Sequence, residues 1–296
     1  MFQNAFLITF TLNTRIFKQI MMKTILVISD NSAAAEHAAR FALLIAQTVR
    51  SNILIANICA EKNQPDHKVL AGEGAEELIA TEPENSFTGR LEAANDTGDG
   101  FKPAFTEINI SDHDEQQLIE FINQDHIWLI VKGMCTDQIG GKPGLNLNAI
   151  LNRVQCPLLL VPKSWVIKKL EHIVYVADMR YCRTKVVRYL AELAQEFKAD
   201  ISVAHFSAKG LPNLGDEYAL SLFNAEVSSH VHYDQIFFNN IKEKDLNNTL
   251  DVLINGLHND LLTIVNHRFH FEEIFGRYIT DNLPSFITIP LLIFPY

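Results

Sequence analysis

The feature that most constrains this chain is that it repeats itself. KTILVISD (23–30) is followed by a run with helical apolar spacing, AAAEHAARFALLIAQTV, and a second apolar segment, SNILIANICAE; EHIVYVAD (171–178) is followed by RTKVVRYLAELAQEF and ADISVAHFSA. Asp30 matches Asp178, Ala46-Gln47 matches Ala194-Gln195, and Ile53 to Ala56 match Ile201 to Ala204, all at one offset of 148. A constant offset over three successive elements marks a duplicated folding unit. Farther on, IWLIVKG (127–133) matches DLLTIVNH (260–267) and CPLLLVP (156–162) matches IPLLIFP (289–295), at offsets of 134 and 133. The second copy is therefore shorter in its middle, and the difference falls within residues 62–105.

Each copy reads as β-α-β, a variable middle, then β-α-β-α-β. The segments ILVIS, ILIANI, WLIVKG and LLLVP are near-continuous apolar runs. Such runs suit strands buried on both faces, which means a mostly parallel sheet with helices on each side. The fold class predicted is α/β: two tandem, doubly wound, five-stranded sheets, one over residues 22–165 and the other over 166–296. A length of 296 residues accommodates two units of ordinary domain size, and 48% hydrophobic composition supplies each with a core. The middle of the first copy is rich in Gly, Glu and Asn, with short helical stretches at 74–80 and 86–94. It reads as an exposed excursion with an acidic, solvated surface.

A net charge of −10 and the lack of any Lys/Arg run exclude nucleic acid as the expected partner. Cys59, Cys135, Cys156 and Cys182 fall in no paired spacing, so reduced thiols and a cytoplasmic protein are expected. The first 21 residues differ in character from the rest. Asn4, Asn13, Thr14 and Arg15 interrupt their apolar run, which fits neither a secretory signal nor a membrane span. The favoured expectation is a natural start at Met21 or Met22 with a translated upstream extension; a weak interfacial anchor and an added edge element are the alternatives.

Taken together, KTILVISDNSAAAEHAARFALLIAQ with its following strand, and IWLIVKGM…GLNLNAILNRVQCPLLLVP, resemble the universal stress protein family, and the second half resembles a diverged second copy. The resemblance implies a five-stranded α/β sandwich, similar to the adenine nucleotide alpha hydrolase-like fold. In the nucleotide-binding branch, G-x-x-G, nine residues and then G-[S/T] join strand four to helix four. The backbone of that loop and its hydroxyl hold the phosphates of ATP, and the strand-one aspartate lies near the adenosine. The resemblance also implies that the last strands of two domains pair antiparallel. Here PLLLVP (157–162) and PLLIFP (290–295) would do so within one chain, as an intramolecular pseudo-dimer that leaves room for a homodimer or another protein partner.

Carried onto this sequence, the pattern makes Asp30, Gly133, Thr136, Gly140, Gly141, Lys142, Gly144 and Asn146 the candidate ligand residues. Three departures fall within it. Thr136 stands at the second glycine and is β-branched, poorly suited to a positive φ. Between Thr136 and Gly144 there are seven residues instead of nine, and Leu145 replaces the hydroxyl residue. Helix-start amides near Asn146 and the charge of Lys142 would still attract an anion. In the second copy the pattern is weaker still: Asn266-His267 surround the first glycine position and Arg277-Tyr278 fall at the last.

Other constellations have ordinary explanations. His267, His270 and Glu273 would share a face if helical, and His230 and His232 would share a strand face, but solvated histidines are the common case, so no metal is expected. Asp30 and Asp178 sit before helices, where a carboxylate caps amides as readily as it holds a ligand. A phosphoacceptor receiver would need an acidic cluster, and Asn31 and Ser32 follow Asp30 instead. Without a G-x-S-x-G, a Walker loop, a G-x-G-x-x-G or a Cys-His arrangement, no catalytic residues are assigned. The expected function is a non-catalytic regulatory or stress-response module acting through a small ligand or protein partner. The alternative is an ATP-binding member with slow hydrolysis.

Overall fold

The computed structural model describes residues 22–58, 87–95, 100–110, 115–134, 145–243, 245–266, 269–276, 278–279 and 282–296. The first half runs β1 (Thr24–Ser29), α1 (Ala33–Val49), β2 (Asn52–Asn57), α2 (Phe87–Asn95), β3 (Phe105–Asn109), α3 (Glu115–Gln124), β4 (Ile127–Met134), α4 (Leu147–Leu151) and β5 (Leu158–Pro162). The second runs β6 (His172–Ala177), α5 (Thr184–Phe197), β7 (Asp200–Phe206), α6 (Asp216–Phe223), β8 (Ile236–Ile241), α7 (Leu246–Asp251), β9 (Leu261–Val265), α8 (Phe269–Phe275) and β10 (Leu291–Phe294).

All these strands join one ten-stranded sheet in the order β3-β2-β1-β4-β5-β10-β9-β6-β7-β8. Neighbours are parallel except at the centre, where β5 and β10 run antiparallel with Leu159 opposite Leu292. The two sets of five strands are thus continuous with each other. Burial follows the apolar runs: Ile25 to Ile28, Leu158 to Val161 and Leu291 to Ile293 are at most 2% exposed. Continuous burial of this kind is what a parallel sheet covered on both faces requires.

The helices that cover it differ in how close they lie. In α1 the buried residues include Ala34, Ala35, Ala38, Ala39, Ala42 and Ala46. These small side chains let the helix axis approach the sheet. Helix α5 uses Val186, Val187, Leu190, Leu193 and Phe197 instead. Both helices end on a non-glycine residue in the left-handed region, Arg50 (φ 57°) and Lys198 (φ 58°). Their amides close onto the carbonyls of Ala46 and Ala194 respectively. His126 (φ 51°) and His258 (φ 54°) likewise precede β4 and β9. Among the described residues five non-glycine positions have positive φ and include these two pairs, which sets the correspondence of the halves independently of side chains.

The same landmarks correct the repeat register. Ile25 pairs with Leu129 and Ile173 with Leu261, so β4 and β9 correspond at an offset of 132 rather than 134. Gly133 therefore corresponds to Val265. Of the two helical stretches expected in the excursion, the later is α2, while 74–80 lies outside the described residues, as do 1–21. His230 and His232 sit in the loop before β8, so they do not share a strand face.

Candidate functional site

In each half the strand order reverses beside the first strand, between β1 and β4 and between β6 and β9. The crevice outside the carboxyl ends of such strands is where open α/β sheets bind ligands. Asp30 and Asp178 stand at those two positions.

Asp30 is exposed, and one of its carboxylate oxygens accepts the Ser32 amide at 3.0 Å. The cap of α1 is Ser32, whose Oγ accepts the Ala35 amide at 3.1 Å. Asn31, at φ 58°, turns the chain between them. Asp30 therefore shapes the turn without capping the helix.

Gly133 stands across from this turn, near the end of β4. A Cβ there would overlap the Ala34 carbonyl and lie 2.8 Å from the Ala35 nitrogen. Its glycine identity is thus demanded by the start of α1, whatever else the loop does. Thr136, Gly140, Gly141, Lys142 and Gly144 lie outside the described residues. Leu145 is half-buried and packs against the core.

Asn146 is the cap of α4, with Oδ1 accepting the Ala149 amide at 3.1 Å. Its own amide donates to Glu115 Oε1 at 2.9 Å. Two amides at the helix start thus already have acceptors, and one of those is a carboxylate that repels phosphate. Helix α4 has five residues, too few to add much dipole. The Asn146 and Ala149 amides, two of those expected to attract an anion, are thus engaged within the chain.

The second half fills the corresponding space from within. Asp178 is 4% exposed and receives Arg180 Nε at 2.8 Å, Arg180 Nη2 at 2.6 Å, and the amides of Arg180 and Ala208 at 3.1 and 3.0 Å. Burial works to raise its pKa. The hydrogen bonds from Arg180 and the Ala208 amide outweigh that, holding the carboxyl below its ordinary value. Behind it, His205 Nδ1 lies 3.2 Å from the Met179 amide and 3.4 Å from the Ala177 carbonyl, with Nε2 on the other side of the ring. Ser207 Oγ lies 3.5 Å from that Nε2.

Helix α8 closes the site from above, beginning four residues after β9 ends. Phe269 packs on Tyr181 with ring centroids 5.2 Å apart, and His270 meets Phe206 edge to face at 5.4 Å. What remains between Tyr175, Asp178, Phe269 and His270 is a cavity of about 20 Å³. That admits one water and no nucleotide. Neither ring nitrogen of His270 makes a well-aligned hydrogen bond. Burial lowers its pKa to about 4, against the opposing pull of Asp178 and the Phe206 backbone. Sequence reasoning missed Arg180, although its place two residues after a strand-end aspartate is a usable signal for a self-neutralised site.

Among the described residues no cluster of three metal-ligating side chains occurs; His267 lies outside them. The thiols of Cys156 and Cys182 are pushed by burial up to about 12, which leaves them inert as nucleophiles. Among the described residues no helix is long and apolar enough to cross a membrane.

Residues 21–162 match the model of the Universal stress protein family. No curated protein matches the sequence significantly. Among solved structures, a universal stress protein from Archaeoglobus fulgidus DSM 4304 superposes with a TM-score of 0.57 at 10% identity, covering 92% of this chain and 98% of that one. A protein of unknown function from Pseudomonas aeruginosa PAO1 gives 0.49 at 13% identity, covering 93% and 92%. Residues 21–162 thus carry a universal stress protein domain, and the α/β fold of the described chain is that of a solved universal stress protein.

Proposed function

We propose that the chain is a tandem universal stress-type protein, a non-catalytic module of the stress response in which the second half is a diverged copy that takes no nucleotide. The observation that carries this reading is the pair of strand-end aspartates: Asp30 faces solvent, whereas Asp178 is neutralised by Arg180 and roofed by α8. Ligand recognition, where it occurs, belongs to the first half. Even there ATP binds weakly or not at all, because the Asn146 and Ala149 amides are engaged and Leu145 supplies no hydroxyl. The loss of one charge-assisted hydrogen bond alone weakens binding about ten- to a hundredfold. The antiparallel junction of β5 and β10 supports an intramolecular pseudo-dimer.

Calorimetric titration with Mg-ATP tests this reading. No heat of binding is expected at tens of micromolar nucleotide, and Leu145→Ser alone should not restore it. A micromolar isotherm weakened by Asp30→Ala would favour instead an ATP-binding protein with slow hydrolysis, a reading to which the exposed carboxylate of Asp30 lends its support.

A further inference from the structure

Helix α4 follows the candidate loop directly and is tied to the other half of the molecule by polar side chains. Asn148, 7% exposed, donates from Nδ2 to the carbonyl of Ile279 at 3.2 Å and accepts the Ile279 amide on Oδ1 at 3.0 Å. One side-chain amide thereby satisfies both backbone groups of a single buried residue, much as a neighbouring strand would. At the far end of the helix, Asn152 Oδ1 accepts from Asn266 Nδ2 at 3.2 Å, and Asn266 closes β9. At the near end, Asn146 holds the Ala149 amide while its own amide is held by Glu115. Hydrogen bonds therefore run from α3 through the end of the loop and the whole of α4 into the second half.

We propose that α4 is a relay, in which movement at the end of the first-half loop is passed by Asn148 to the backbone around Ile279. The inference rests on the reading that a ligand acts in the first half, and it supplies the way the second half would register it. Three features make the coupling stiff. Helix α4 is five residues long and so shifts as a unit. Its inner residues Leu147, Ile150 and Leu151 are buried, which limits independent sliding. Separating Asn148 from Ile279 would strand two buried backbone groups and a side-chain amide, a cost above that of losing an exposed hydrogen bond. A relay is established by energetic coupling between its ends, and a mutant cycle measures that.

The test needs no ligand. Amide hydrogen exchange is followed by NMR in the full chain carrying Asn146→Ala, Asn148→Leu or both. Loss of the Asn146 cap should speed exchange at Ala149 and, through Asn148, raise it about tenfold at Ile279 while the Val174 amide is unchanged. With Asn148→Leu the Ile279 amide is already fast, and adding Asn146→Ala should change it less than about twofold. If Asn148→Leu does not fold, Asn148→Asp, which keeps the acceptor for the Ile279 amide, takes its place and should preserve part of the response. Release of Ala149 with no change at Ile279 overturns the relay, as do effects of the two substitutions that simply multiply. The Mg-ATP titration reads ligand binding separately, so failure of that reading cannot be mistaken for failure of this one.

Discussion

Asp30 and Asp178 begin alike and end differently. Each closes the first strand of its half, and each accepts the amide of the residue two positions on, at 3.0 Å from Ser32 and 3.1 Å from Arg180. The backbone between differs, with Asn31 left-handed at φ 58° and Met179 opening a 3-10 turn, and so does the side chain at that second position. Ser32 turns its hydroxyl to the helix and leaves the carboxylate in water; Arg180 folds back on the carboxylate with two nitrogens. The exposed Asp30 and the buried Asp178 thus differ first in whether a cation folds back on the carboxylate.

Breaking the junction that holds the two halves together should have the largest effect. Leu159 and Leu292 face each other in the antiparallel pair and are 2% and 1% exposed. Replacing both with Asp places two carboxylates side by side in an apolar layer, at a cost of about 5 kcal/mol or more. Loss of cooperative unfolding in urea, or precipitation, is expected. A double variant with an unchanged urea midpoint and elution volume would show that the halves do not depend on this pairing.

Next in size is the ion pair itself. Arg180→Ala leaves Asp178 buried without its cation, which should cost about 3 kcal/mol, since an uncompensated buried charge is far dearer than an exposed one. The matching change in the first half, Ser32→Ala, removes only a helix cap, worth about 1 kcal/mol. Urea melts of the two variants compare the halves directly. Equal losses would mean that Asp178 is better solvated than its 4% exposure indicates.

A pH titration of stability reads the closed site in another way. Burial lowers the pKa of His270 to about 4 in the folded chain, against 6.5 as the ordinary value. Between those values the unfolded chain binds the proton and the folded chain does not, so stability is full above about 6.5 and falls as the pH drops toward 4, by at most about 3 kcal/mol. His205 and His37 are lowered by burial as well and add slopes of the same sign. Asp178, held low, contributes stability above its unfolded value and loses it only at more acidic pH, so the two effects are separable. Replacing His270 with Gln should flatten the dependence between pH 6.5 and 4; an unchanged slope would place the titration elsewhere.

Most of the architecture was legible because it is written in long apolar runs and one repeated offset. The runs at 25–28, 158–161 and 291–293 are buried as read, and PLLLVP and PLLIFP do meet. The two-residue slip between β4 and β9 was not legible, because WLIVK and LLTIV align about equally well at neighbouring offsets when only hydrophobicity is compared. Backbone conformation at His126 and His258 settles it. Contacts between residues far apart in sequence were hidden too. Nothing about Asn148 announces Ile279, and a Glu at 115 gives no hint that it will meet the Asn146 amide.

The last prediction tests why Gly133 is glycine. The family pattern assigns it to a phosphate loop, while the structure places it against the first turn of α1, where an added Cβ would overlap the Ala34 carbonyl. At the corresponding place in the second half stands Val265, 6% exposed. It is tolerated because α5 begins at Thr184, whereas α1 shifted by the repeat offset of 148 would begin at 181, and a 3-10 turn (Met179–Tyr181) takes up the difference. Gly133→Ala should therefore destabilise the chain by about 1–3 kcal/mol through overpacking, with no ligand present. Removing the opposing contact offers no rescue, since the clash is with backbone. Val265→Ala should cost about as much, but as a cavity, and refilling with Ile should recover part of it. Should Gly133→Ala leave the urea midpoint unchanged, the glycine is not there for packing, and its place in the loop pattern becomes the better account.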